Sequence, residues 1–373
     1  MNKAGIITFH CADNFGAILQ VYALQKIIQD LNIDAEIIDF RPEVLVEPYE
    51  HFINLRKYAN KYGYRRALRS LLAQIYYFGL IKKRIESYNI FRNNYLKLSR
   101  NKYYSQEDLL NNPPIYDFYI TGSDQVWNPS FKKDIGNSYL LDFVTGDSVK
   151  ISYAASIAEE INDNFIEDYK KYINQFDYIS IREKSSLKII NSITNKNIEV
   201  TLDPTLLLSK EQWNTISELP NIDEKYILVY DLQYNIELIK IANKLSEETG
   251  YKIICFSKTK YFKNTIESFY YKGPSQFLGY CKKAELILTN SFHGTVFSVI
   301  YGKPFYTIPH TTRGSRMIDL LETLNLEDRL VYKANDLEEI NYYIDYEKVN
   351  NILEIKKQES IDFLTTALNI RRY

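Results

Sequence analysis

Histidine is scarce in this chain, with four among 373 residues. Cysteine is scarcer still: Cys11, Cys255 and Cys281 stand far apart and form no CxxC pair. That excludes a disulfide framework and a thiolate zinc site, and it suits a reducing compartment. No run approaches the roughly 18 apolar residues that cross a bilayer, and the start MNKAGIITFH lacks a long apolar signal core. The chain is therefore expected in the cytoplasm, with any membrane contact peripheral, at the inner face of the plasma membrane. Excess charge is missing too. The 46 Lys and Arg balance 47 Asp and Glu, which argues against a general nucleic-acid binder. Neither GxGxxG nor HExxH occurs, and no carboxylate cluster offers a metal site, so no cofactor and no metal are expected.

What is present is alternation. AGIITF reads as a strand, AILQVYALQKIIQDL as a helix with apolar residues four apart, and AEIIDF as the next strand. YDFYIT, KISYAAS and YISIR continue the series. A second series, KYILVYDL, KIICFS, AELILT and PFYTI, follows VTLDPTLLLSKEQW, again with helix-like segments between. Strands alternating with helices predict parallel sheets covered on both faces, an α/β fold of two Rossmann-like domains facing across a cleft. The expected organisation is 1–205, 206–345 and a helical tail over 346–373. Between His51 and Ile85 nine Lys or Arg occur without one acid, interleaved with Tyr58, Tyr62, Tyr64, Tyr76, Tyr77 and Phe78. Residues 56–84 thus present either an anionic-membrane or anionic-glycan surface, or the solvated faces of surface helices.

In open α/β sheets, ligands bind beyond the carboxyl ends of the strands, against helix N-termini. Four such ends carry polar or small residues. HCADNFG holds Asp13, Asn14 and Gly16. TGSDQVWN holds Ser123 and Asp124, which are either ligands or a helix cap, and Trp127, which fits a sugar face or a core. In SIREKSS, Arg182 ends an apolar strand and needs an anion, either a ligand's or the protein's own carboxylate. TNSFHGTVFSVIYGKP places Ser291, His293 and Gly294 where a strand turns into a helix, and Arg313 and Arg316 follow one strand later. Two arginines and a histidine drawn from separate strand ends would suit a small, multiply charged anion.

In these segments, taken with ISYAASI, LDPTLLL and the late RMIDLLETLNLEDRL, the chain resembles the polysaccharide pyruvyl transferase family over most of its length. The resemblance implies a glycosyltransferase-B-like plan, phosphoenolpyruvate as donor, and a cell-surface saccharide, lipid-linked in some settings, as acceptor. It implies a donor-binding role for Arg182, a central catalytic role for His293, and a donor-side role for Asn14, with Ser291 and Gly294 beside the histidine. Arg313 falls where some members carry lysine, and Arg316 is its rival. The residues suit that chemistry. Arginine grips carboxylate or phosphate bidentately, and histidine titrates near neutrality and can deliver a proton. Asp124 is the candidate base toward the sugar hydroxyl, with Ser123 and Trp127 on the acceptor side. Two other classes compete: a nucleotide-sugar-dependent glycosyltransferase of the same plan, and a non-catalytic glycan-binding protein.

Overall fold

The computed structural model describes residues 2–50, 52, 54–161, 163–256, 262–309, 314–337 and 341–368. Seven strands, β1 (Lys3–Ile7), β2 (Asp34–Phe40), β3 (Leu98–Tyr103), β4 (Phe118–Thr121), β5 (Val149–Ala155), β6 (Tyr178–Ile181) and β7 (Ile198–Val200), form one sheet. Five more, β8 (Tyr226–Tyr230), β9 (Lys252–Cys255), β10 (Thr265–Ser268), β11 (Leu286–Thr289) and β12 (Phe305–Thr307), form a second. Every pairing is parallel, in the orders β3-β2-β1-β4-β5-β6-β7 and β10-β9-β8-β11-β12. Central strands such as YILVY in β8 and LILT in β11 are buried throughout, because helices cover both faces.

Three strands escape the apolar pattern: β3 (LSRNKY), β7 (IEV) and β10 (TIES). All three lie at sheet edges, where one side meets solvent. Arg100, Asn101 and Lys102 of β3 are accordingly exposed. The strand order reverses between β1 and β4 in the first sheet and between β8 and β11 in the second. These are the two topological switch points, where an open parallel sheet leaves a crevice beyond its strand ends.

The two sheets share apolar packing. Phe15, at the start of the helix Phe15–Asp30 from the first sheet, stacks on Phe277 from the second with centroids 4.6 Å apart and planes 6° apart. Tyr22 on the same helix meets Trp213, whose ring stands edge-on to Phe297. The segment expected as a tail is a helix, Tyr346–Ala367, that straps both halves. At its start the Tyr346 hydroxyl donates to Lys303 O (2.6 Å) beside β12. Toward its end Ser360 accepts from Leu202 N (3.0 Å) and Phe363 meets Tyr153 of β5. Residues 369–373 lie outside the described residues. Among the described residues no helix is long and apolar enough to cross a membrane.

The basic stretch forms three helices, Leu55–Tyr62, Tyr64–Tyr76 and Phe78–Tyr95. Arg84 does not belong to its surface. It is buried, donates from Nη2 to Asp13 O (2.5 Å) and lies over the Tyr270 ring. The expectation of a surface role for Arg84 is therefore corrected: a backbone carbonyl and aromatic faces draw it inward.

Candidate active site

Both switch points open on one crevice. The loop after β1 ends in Asn14, whose Oδ1 caps the helix Phe15–Asp30 by accepting from Ala17 N (3.1 Å). After β11, Ser291 caps the helix Phe292–Ile300, accepting from Gly294 N at 3.3 Å. His293 is the second residue of that helix. Gly294 lets the helix settle onto β11, since a Cβ there would lie 2.2 Å from Thr289 Oγ1. Gly16 does the same across the crevice: a Cβ on it would stand 1.9 Å from His293 Nδ1. The first helix of one sheet and the histidine helix of the other thus meet at the imidazole.

Arg182 leaves the end of β6 and is buried. Its Nη1 donates to Asp203 Oδ2 (2.7 Å), with Ser123 Oγ at 3.4 Å. Nη2 lies 3.9 Å from Asp124 Oδ1, and Nε is 3.7 Å from Glu183 Oε2. Neither Nε nor Nη2 has a hydrogen-bond partner among the described residues. Burial opposes the arginine's charge, but Asp203, Glu183 and Asp124 outweigh it and hold the guanidinium above its ordinary range. The guanidinium also covers the Phe292 ring at 4.5 Å, and Arg316 approaches that ring at 5.9 Å.

Asp203 is the hub that sequence reasoning missed. It caps the turn Pro204–Leu206, accepting from Thr205 N (3.0 Å) and Thr205 Oγ1 (2.6 Å), and it also accepts from Ser123 Oγ (2.9 Å). Its Oδ2 stands 3.6 Å from His293 Nε2, an ion-pair separation longer than a hydrogen bond. Burial favours the neutral acid, yet His293, Arg182 and Thr205 more than offset it and hold the carboxyl well below the usual carboxylate range. The signal was the Asp-Pro pair in LDPTLLL, a capping dipeptide followed by an apolar run.

A cavity of about 310 Å³ runs along the crevice, with Asn14, Asp124, Ser291, His293 and Arg316 on its walls and Tyr49 among its apolar lining. A smaller one of about 100 Å³ lies beside it, lined by Arg182, Lys184, Asp203 and Arg316. Phe292 borders both. Asp124 holds a left-handed backbone (φ 73°) fixed by a bridge to β5. That conformation is uncommon away from glycine and gathers at functional sites.

The structure thus brings together Asn14, Ser123, Asp124, Arg182, Ser291, His293, Gly294 and Arg316. Arg313 lies outside the described residues. Trp127 is a correction. It is 1% exposed, its Nε1 donates to Tyr139 O (3.1 Å) and its ring stands against Phe176, so no face is left for a sugar. Ser123, wholly buried, supports Asp203 and Arg182 and does not line either cavity.

A sequence profile for polysaccharide pyruvyl transferase matches residues 14–312. The chain belongs to the polysaccharide pyruvyl transferase family. No curated protein sequence matches it. Among solved structures, Staphylococcus aureus MnaA with UDP is similar at 12% identity and a TM-score of 0.51, covering 100% of this chain and 98% of that one. The Methanocaldococcus jannaschii UDP-GlcNAc 2-epimerase, in complex with UDP-GlcNAc and UDP, is similar at 15% identity and a TM-score of 0.48, covering 99% and 100%. At 12% identity the likeness to MnaA concerns the fold alone, the glycosyltransferase-B-like plan of two parallel α/β sheets.

Proposed function

We propose that this pyruvyl transferase moves the enolpyruvyl group of phosphoenolpyruvate onto two hydroxyls of a cell-surface saccharide or its lipid-linked precursor, forming a pyruvate ketal. The observation that carries this reading is one buried carboxylate, Asp203, beside both Arg182 from the first sheet and His293 from the second. Phosphoenolpyruvate needs two cationic grips, one for its carboxylate and one for its phosphate. Arg182 and Arg316, both against Phe292, are assigned that task. The Nη2 of Arg182, which has no hydrogen bond among the described residues, lies 3.9 Å from Asp124 on the wall of the larger cavity. A modest shift of Asp124 or Phe292 opens it to the donor.

His293 then delivers a proton to the methylene carbon, leaving C2 electrophilic, and the first sugar hydroxyl adds there. Its proton passes to Asp124 or to His293, restoring the acid. Phosphate leaves from C2, the second hydroxyl attacks the same carbon, and its proton departs with phosphate. The methylene has become a methyl, and two C–O bonds to sugar replace the C=C π bond and the C–O bond to phosphate at C2. Asn14 and Ser291 hold the helix ends on either side of the donor.

Mass spectrometry of candidate saccharides incubated with phosphoenolpyruvate tests the reading, with the mass gain of a pyruvyl ketal and release of phosphate as the expected result. Thermal stabilisation by a UDP-sugar, with none by phosphoenolpyruvate, would move the protein to the nucleotide-sugar class.

A further inference from the structure

The helices Leu55–Tyr62 and Tyr64–Tyr76 turn apolar side chains outward. Tyr64, Leu68, Leu72, Ile75 and Tyr76 recur three or four residues apart and are 75%, 54%, 58%, 56% and 81% exposed. Ala67 is the one fully buried residue of that helix among the described residues. Leu55, Tyr62, Phe78 and Leu80 continue the exposed apolar surface at both ends. Arg56, Arg65, Arg66, Arg69, Lys82 and Lys83 flank it, all exposed. The acids nearest in sequence are few: Glu43 and Glu47 already pair with Lys57 (3.3 and 2.9 Å), and Glu50 and Glu86 stand beyond the two ends of the stretch. An amphipathic helix that hides almost nothing and shows both leucine and arginine is unsatisfied in water.

We infer that this face is a docking surface for an anionic lipid bilayer. The apolar stripe would enter the boundary between headgroups and acyl chains, and the six cations would lie on lipid phosphates. A second copy of the chain fits worse, because a two-fold contact sets the same cations against each other. The location bears on function. The third helix, Phe78–Tyr95, carries Arg84 and Arg92. Arg84 holds Asp13 O, while Arg92 holds His10 O (3.0 Å) and Cys11 O (2.9 Å) in the loop that leads to Asn14 at the cavity. Lipid contact therefore sits one helix away from the crevice, where a lipid-linked acceptor would be presented if the proposed transfer is correct.

Flotation with vesicles tests the surface without any substrate, so its failure leaves pyruvyl transfer standing and the converse also holds. Wild type is expected to float with vesicles of phosphatidylcholine and phosphatidylglycerol in equal parts, to be released by high salt, and to ignore phosphatidylcholine alone. Arg65→Gln with Arg69→Gln should weaken binding roughly thirty-fold. Leu68→Glu with Leu72→Glu should abolish it, with circular dichroism confirming that both variants fold. Equal or negligible flotation with the two vesicle types overturns the inference. So does lipid-free self-association that Leu72→Glu disperses, which would give the face to a second copy.

Discussion

Arg182 shows how far a single residue can be read. An arginine closing an apolar strand had to meet an anion, and the structure supplies one internally, Asp203, while Nε and Nη2 have no hydrogen-bond partner among the described residues. The reading as a partner of the protein's own carboxylate therefore holds, and the donor role proposed for the residue would use the two remaining nitrogens. Asp203 stayed hidden because a capping aspartate looks the same whether or not an arginine and a histidine converge on it from far along the chain. Asp203→Asn removes the counter-charge of a buried guanidinium and should cost about 3–5 kcal/mol of stability. The pH dependence has a definite sign. The folded carboxyl sits below its unfolded value, so the unfolded chain binds the proton more tightly. The contribution is complete above the ordinary carboxylate range and is lost as pH falls through it toward the folded value. Urea unfolding should show the full gap between wild type and variant near pH ~7 and a shrinking one below pH ~4. A gap that ignores pH would place the destabilisation elsewhere. His293→Gln should fold and lose turnover by about 10²–10⁴-fold, as expected for a missing general acid, with phosphoenolpyruvate binding weakened less. Folded enzyme of near-normal turnover would remove the histidine from the mechanism.

Elements were legible where both faces are buried and opaque where one is not. The runs of β1, β4, β8 and β11 announce themselves because solvent touches neither side. β3, β7 and β10 carry LSRNKY, IEV and TIES, which in sequence resemble loops, since an edge strand needs no continuous apolar run. The turns from strand to helix after β1 and β11 were legible, yet their meeting was not. The one cap the sequence offered, Ser123 with Asp124, starts no helix: Asp124 is left-handed and Ser123 donates to Asp203. Nothing in HCADNFG says that Gly16 faces an imidazole nearly three hundred positions later. That close approach makes a testable pair. Gly16→Ala forces the His293 ring aside, and a misplacement of about 1 Å can cost 10²-fold in rate. Gly79→Ala meets open space and should leave turnover unchanged. Steady-state kinetics on the two variants decide it, and equal, wild-type rates would mean that the helix and ring relax without consequence.

At the scale of the molecule, two series of strands invite the picture of two independent bodies, but the core does not divide that way. One continuous apolar cluster holds Ile18, Leu24 and Ile120 from the first half together with Leu228, Phe277 and Phe297 from the second. Phe15 is its pivot. Fully buried, it stacks on Phe277, lies parallel to Tyr88 at 5.7 Å and meets the edge of Phe256 at 5.4 Å. The helix Tyr346–Ala367 adds a second tie, fastened near β12 at one end and to Leu202 near the other. A crevice assembled from both halves benefits from this arrangement, because Arg182 and His293 keep their spacing only if the sheets keep theirs. The packing predicts one cooperative unfolding transition with no separate loss of either half. Phe15→Ala opens a large cavity at the junction and should cost about 3–5 kcal/mol. It should lower the single transition as a whole, because the side chain belongs to both halves. Differential scanning calorimetry checks this directly. Two resolved transitions in the wild type, or a Phe15→Ala variant in which only one of two moves, would show that the halves unfold independently despite their shared contacts.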